Sequence, residues 1–148
     1  MNWANIKIKQ FVTEYSDSLV KLSKMFVDKT GIYKEKGLSI SQIHNLIQEA
    51  NKAKSVDRLI HYVDEEAKRS SEGTGWKFDQ DKTEEIFVDI LKENLSNLED
   101  QAKAISADVG YEYEKDIHII LAKKFLVYMI WYINSRRMEE RERKEANK

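Results

Sequence analysis

The chain has 148 residues, of which 34% are charged and 41% are hydrophobic, and its net charge is −1. This length is sufficient for one domain with a hydrophobic core of its own. Cysteine is absent, which excludes disulfides, thiolate metal sites and a cysteine nucleophile, and which fits a reducing, cytoplasmic location.

No segment of the sequence has the pattern of a membrane or export signal. The opening residues, MNWANIKIKQ, lack the apolar core of a signal peptide. The longest apolar run, from Ile117 to Ile133, is too short for a membrane span and contains His118, Lys123 and Lys124. We therefore expect a buried helix in that run and no membrane partner.

Proline is absent, and the five glycines at positions 31, 37, 73, 75 and 110 divide the chain into helical segments. The sequence predicts an all-α fold: one compact bundle of about five helices, formed by residues 1–148, with the apolar C-terminal helix at its centre. The first helix is expected from about Trp3 to Lys29. Its inward stripe repeats every three or four residues: Ile8, Val12, Tyr15, Leu19, Leu22 and Phe26.

The second and third helices have clear N-terminal signals. Ser39 and Gln42 have the spacing of a capping box, and Ser55 is the expected N-cap of a third helix that ends near Ser70. The positions predicted to face inward on these two helices are Ile40, Ile43, Leu46, Ile47, Ala50, Val56, Leu59, Ile60, Val63 and Ala67.

The fourth helix is expected to open at Asp81, with Glu84 in the same capping spacing. Its inward positions are Phe87, Leu91, Leu98, Ala102 and Ile105, with Ile90 and Leu95 flanking them. The last helix is expected to begin near Lys115 and is apolar almost all round to Ile133, which predicts that Trp131 is buried. The charged tail, residues 135–148, is expected to project into solvent or to fray.

The segment EGTGWKFDQ, residues 72–80, places two aromatic residues among glycines. Trp76 and Phe78 could form a mobile binding lip, or they could pack back onto the bundle as a small hydrophobic cluster. The sequence favours packing and leaves both interpretations open.

The sequence offers little for catalysis. His44, His61 and His118 lie on three different predicted helices. Asp57, His61 and Glu65 share one helix face, and Glu114 and His118 form a second pair four residues apart, but the Glu-x-x-His pattern of bundle metal sites is missing. These groups favour a solvated, salt-bridging surface, so we expect no metal, no cofactor and no enzymatic activity.

Charge is distributed unevenly along the chain. Residues 71–116 carry 13 acidic and 5 basic residues, whereas residues 117–148 carry 8 basic and 4 acidic residues. Two arrangements are possible: a polarised surface, suited to a nucleic-acid backbone or to stacking of copies, or neutralisation of the fourth helix by the first and last helices within the bundle.

Basic side chains at helical spacing are candidate contacts for RNA phosphates, which would be bound without regard to base sequence. They lie around the turn between the second and third helices and on the last helix: Lys52, Lys54, Arg58, Lys123, Lys124, Arg136 and Arg137. Lys68 and Arg69, at the end of the third helix, are better explained as partners of the helix dipole.

The stretch GLSISQIHNLIQEANKAK resembles the segment L-(S/T)-T-S-Q-I-R of the small subunit of type III-A CRISPR effector complexes, the Csm small-subunit family, whose Cmr relatives share a helical architecture. The matching residues are Leu38, Ser39, Ser41, Gln42 and Ile43. The sequence departs from the family at His44, where the family has arginine, and in its closing segment, WYINSRRMEERER.

The resemblance implies a non-enzymatic subunit that stacks in several copies beside other subunits of a ribonucleoprotein complex and helps to hold the guide RNA and its target. His44, Gln48, Asn51 and Lys52 would then face RNA or the next subunit. A competing hypothesis is a helical adaptor or scaffold that binds a protein and no nucleic acid. A metal-dependent bundle enzyme is the third and least favoured class.

Overall fold

The predicted helical segments all form helices. The computed structural model describes residues 3–80 and 85–147. Within these residues there are five α-helices and two short 3-10 helices, and no strand. The α-helices are α1 (Trp3–Thr30), α2 (Ile40–Lys52), α3 (Val56–Arg69), α4 (Phe87–Val109) and α5 (Glu114–Ala146), and the 3-10 helices are Gly75–Lys77 and Tyr111–Tyr113. The predicted all-α bundle is confirmed.

Helix α5 lies at the centre of this bundle. It contacts each of the other four α-helices, most extensively α1 and α4. Among the described residues, buried hydrophobic side chains from all five helices form one cluster. The rings of Phe26 on α1 and Phe125 on α5 lie 5.6 Å apart in this core, and Phe26 also lies 5.4 Å from Phe87 of α4.

The expectation that Trp131 is buried is wrong. Its side chain is 65% exposed, and Val127, one turn earlier, is exposed as well. Phe125, Met129 and Ile133 of α5 are buried, and the Phe125 ring packs against Phe26 of α1. Val127 and Trp131 remain exposed, because a helix that is apolar all round is buried only where neighbouring helices pack against it.

The predicted N-caps of α2 and α3 are present. The Ser39 hydroxyl accepts the Gln42 backbone N–H at 3.1 Å, and the Gln42 side-chain oxygen accepts the Ser39 N–H at 2.9 Å, which completes the capping box of α2. The Ser55 hydroxyl accepts the Arg58 N–H at 3.3 Å at the start of α3. These local bonds satisfy backbone donors that a helix start leaves open.

Replacing Ser39 with alanine is expected to lower the free energy of unfolding by about 1 kcal/mol, because the cap is lost. Urea denaturation measures the change. The matched control is Ser41→Ala, two residues further along α2, where the serine is exposed and makes no capping bond. Equal destabilisation by the two substitutions would contradict the role of Ser39.

Most predicted inward positions are buried, and the exceptions lie at the edges of helix faces. Ile40 is 83% exposed, and Ile47 and Leu22 are also exposed. Tyr15, Ile60 and Ile90 are partly buried. Helix α2 turns only the side with Ile43, Leu46 and Ala50 towards the bundle, so the isoleucines beside that stripe remain in contact with solvent.

The predicted start of the fourth helix is wrong. Helix α4 begins at Phe87, and its N-cap residue Ile86 makes no side-chain capping bond. Glu85 and Ile86 are not helical. Asp81 and Glu84, on which the prediction was based, lie outside the described residues.

The segment of residues 72–80 packs onto the bundle through Trp76 and Phe78, which confirms the packing interpretation over a mobile lip. Trp76 is only 1% exposed, and its ring lies 6.0 Å from that of Phe87. Phe78 is also buried, and its carbonyl accepts the Phe87 N–H at 2.8 Å. Gly75 has a φ of +54°, and a Cβ there would lie 2.7 Å from the Gln42 amide nitrogen, so glycine allows this segment to approach the cap of α2.

Helix α5 continues through the charged tail as far as Ala146. Residues 141–147 are exposed, so the tail projects into solvent as a helix instead of fraying before residue 146. Among the described residues, no helix combines the length and the hydropathy required to cross a membrane.

Candidate nucleic-acid interface

The side of α2 that faces away from the bundle carries polar residues. His44, Gln48, Asn51 and Lys52 are all exposed, and their spacing of three and four residues places them on one side of the helix. The Nε2 atoms of His44 and Gln48 lie 3.1 Å apart. This face therefore presents amide and imidazole groups followed by a lysine, in the arrangement that the sequence predicted.

The turn between α2 and α3 extends this face with two more cations. Lys54 and Arg58 are exposed, and the chain turns within residues 53–55 because Ala53 ends α2 and Ser55 caps α3. Lys52, Lys54 and Arg58 form no salt bridge with any other residue that the structure describes. We call these three residues the basic corner.

A small cavity of about 140 Å³ lies at the start of α3 and has acidic walls. Its lining includes Asp57, Glu99 and Glu114, together with His118. The His118 Nε2 lies 2.8 Å from the Leu95 carbonyl oxygen, which can only accept, so Nε2 carries the proton and the ring links α5 to α4. Across residues 3–80 and 85–147, no group of three His, Asp or Glu side chains could hold a metal ion.

In the other predicted histidine group, Asp57, His61 and Glu65, only Glu65 forms a salt bridge with a described residue. His61 is exposed. The Lys68 ammonium donates to the Glu65 carboxylate at 3.0 Å, and this hydrogen bond lowers the pKa of Glu65 below its usual value. Arg69 and Glu66 form a longer ion pair at 3.8 Å, so Lys68 and Arg69 both have partners within their own helix.

The four basic candidates on α5 do not form one site. Lys124 is exposed and Lys123 is partly buried, and neither forms a salt bridge within the described part of the chain. Arg136 and Arg137 lie about 20 Å further along the helix, at 1.5 Å per residue. The structure thus places the two lysines and the two arginines at separate positions.

Arg136 and Arg137 are engaged inside the fold. An Arg136 Nη atom donates to the Asp28 carboxylate at 3.0 Å, the other donates to the Tyr33 hydroxyl at 2.8 Å, and the guanidinium lies 4.4 Å from the centre of the Tyr33 ring. Arg137 donates through Nε to the Tyr33 carbonyl at 2.9 Å and through Nη2 to the Leu38 carbonyl. The arginines therefore fasten the loop that follows α1 to helix α5.

Helix α4 has one cross-helix ion pair among the described residues. Among the described residues, no salt bridge joins a carboxylate of α4 to a basic residue of α1 or α5. The cross-helix pair of α4 is instead Lys92 with Asp64 of α3, at 2.7 Å, and this hydrogen bond raises the pKa of Lys92. Direct ion pairs between the carboxylates of α4 and the first or last helix are therefore absent from the described part of the chain.

Helix α5 carries an exposed apolar strip that was not predicted from the sequence. Val127, Trp131 and Met138 are exposed and follow one another at intervals of four and seven residues, which places them on one side of the helix. Tyr128 supports the strip, with its ring 5.7 Å from that of Trp131. Met138 was the available signal, because an apolar residue in an otherwise charged tail continues the stripe beyond the core.

The chain was compared with family models, curated proteins and solved structures, and no significant match was found in any of the three.

Proposed function

We propose that the chain is a non-catalytic, RNA-binding small subunit of a type III CRISPR ribonucleoprotein, present in several copies along the guide and target RNA. The motif resemblance at residues 38–43 suggests the family. The observation that carries the proposal is the basic corner, where Lys52, Lys54 and Arg58 are exposed without acidic partners among the described residues. Cations that a fold leaves unpaired are free to neutralise phosphates.

The polar side of α2 extends the proposed RNA surface. His44, Gln48 and Asn51 precede the basic corner on one exposed side of the helix. Amide and imidazole groups can donate hydrogen bonds to phosphate and sugar oxygens without reading bases. An RNA strand lying along α2 and over the turn into α3 would meet these groups before the three cations.

Unpaired charge on α4 supports contacts between copies. Exposed carboxylates of α4, including Glu93, Asp100 and Asp108, have no salt-bridge partner among the residues described. The exposed side of α5 offers Lys124 together with the strip Val127, Trp131 and Met138. Opposite charges at the edge of an apolar contact determine the orientation and specificity of that contact. We therefore propose that α4 of one copy contacts α5 of the next copy. A cytoplasmic complex is the setting that this role requires.

Single-stranded RNA binding at two salt concentrations tests the proposal. Binding by one subunit is expected to be weak, indifferent to base sequence and strongly reduced by salt, because counterions are released when phosphates are neutralised. Replacing Lys52, Lys54 and Arg58 together with alanine is expected to reduce the slope of log K against log salt by about 2, at roughly 0.7 per phosphate contact. Fluorescence anisotropy with a labelled oligonucleotide measures both quantities.

Two controls make this measurement specific. Replacing Lys9, Lys21 and Lys29 on α1 removes the same charge from another surface and should leave the salt slope nearly unchanged. Neutralising Glu93, Asp100 and Asp108 should leave RNA affinity unchanged or slightly higher and should reduce self-association in sedimentation experiments. Identical slopes for the wild type and the basic-corner variant would remove the assignment of the site.

The adaptor hypothesis has one observation in its favour, the exposed strip Val127, Trp131 and Met138, since exposed aromatic and methionine side chains are typical of protein interfaces. It differs from the RNA proposal in a measurable way. An adaptor would show no RNA binding at low salt, alone or in an assembled complex, and replacing Trp131 would abolish binding of a protein partner.

A further inference from the structure

A second basic surface lies near the C-terminal end of α5, beyond Lys123 and Lys124. The loop after α1 and the last turns of α5 enclose a half-open cavity of about 510 Å³. One wall is formed by Tyr33 and Lys34 of the loop, and the other by Arg137, Arg141 and Lys144 of α5. The cavity does not include any residue of the basic corner.

Arg137 is the fixed element of this cavity. Its guanidinium is partly buried and bonds to two backbone carbonyls, those of Tyr33 and Leu38. It forms no salt bridge with a carboxylate in the described part of the chain. Burial lowers the pKa of Arg137, so its charge is poorly solvated and would be stabilised by an incoming anion.

The remaining lining residues make the cavity positive overall. Lys34, Arg141 and Lys144 join Arg137 as cations, and Glu35 and Glu140 are the two carboxylates in the lining. Glu140 already pairs with Arg143 at 3.5 Å, outside the lining. Four cations against two carboxylates therefore surround a space larger than a simple ion needs.

We propose that this cavity binds the phosphate group of a nucleotide, with Arg137 as the fixed donor, Arg141 and Lys144 as mobile donors, and the Tyr33 side of the wall beside the nucleoside. A guanidinium held in one orientation suits the several oxygens of a phosphate. An aromatic residue beside such donors is the combination by which proteins hold nucleotides of unpaired strands. The proposal involves a surface separate from the basic corner and does not rest on it.

Titration of the full chain with inorganic phosphate, followed by amide NMR signals, tests the cavity. Saturable shifts are expected for residues 33–35 and 137–144. The double substitution Arg141→Ala and Lys144→Ala is expected to weaken phosphate binding by about tenfold or more, because two charge-assisted hydrogen bonds are lost. The matched control, Lys68→Ala with Arg69→Ala, removes the same charge at the end of α3 and should leave the affinity unchanged. Absence of saturable shifts, or equal affinity of the double variant, would overturn the proposal.

Two further titrations identify the source of the phosphate. If RNA supplies it, a single-stranded oligonucleotide will shift the same signals, even when Lys52, Lys54 and Arg58 have been replaced. If a free nucleotide supplies it, adenosine monophosphate will saturate the cavity and RNA will not. Shifts with inorganic phosphate alone would show an adventitious anion site and would also overturn the proposal. RNA binding that depends only on the basic corner, together with no cavity shifts from adenosine monophosphate, would leave the proposed function standing while this inference fails.

Discussion

Replacing Trp76 with alanine is expected to lower the free energy of unfolding by about 3–5 kcal/mol, although the residue lies outside the five α-helices. Trp76 is 1% exposed and packs its ring 6.0 Å from Phe87, at the start of α4. Alanine would remove this contact and leave a cavity between the α3–α4 segment and the core. Urea denaturation followed by circular dichroism measures the loss.

The matched control for Trp76 is Trp131→Ala on the exposed side of α5. Because Trp131 is 65% exposed, its replacement is expected to change the free energy of unfolding by about 0.5 kcal/mol or less. The effect of this control should appear in association experiments instead. A loss at Trp131 as large as that at Trp76 would show that the burial of the two residues is assigned wrongly.

The two tryptophans show how far local sequence patterns determine this fold. The predicted caps at Ser39 and Ser55 are confirmed, because their partners, Gln42 and Arg58, lie only three residues away along the chain. Which side of α5 is covered depends instead on where α1 and α4 pack, and a helix that is apolar all round gives no local sign of it. For this reason the prediction that Trp131 is buried was wrong.

The residues of the candidate site were likewise predictable only where the local sequence pattern determines their exposure. Lys52, Lys54 and Arg58 could be found from sequence because a short turn and two amphipathic helices determine their exposure. The environment of Arg136 could not, since its partners Asp28 and Tyr33 lie 108 and 103 residues away along the chain. A local pattern shows the charge of an arginine, but only the packed structure shows whether its donors are already occupied.

Replacing Arg137 with methionine is expected to lower the free energy of unfolding by about 2–6 kcal/mol, because the Tyr33 and Leu38 carbonyls would lose their donors at about 1–3 kcal/mol each. These bonds hold the loop between α1 and α2, which leads directly into the capping box at Ser39. Lysine at position 137 should recover part of the loss, since an ammonium group keeps the charge but lacks the planar fork that reaches both carbonyls.

Arg141→Met is the control for Arg137→Met, one turn further along α5 and on the same cavity. Arg141 is exposed and makes no hydrogen bond or salt bridge with the residues that the structure describes, so its replacement should change the free energy of unfolding by about 0.5 kcal/mol or less. Hydrogen exchange provides a second measure: residues 33–39 should lose protection in the Arg137 variant and keep it in the Arg141 variant. Unchanged exchange in both variants would mean that the loop is held by α1 and α2 alone, and that the buried guanidinium is not its anchor.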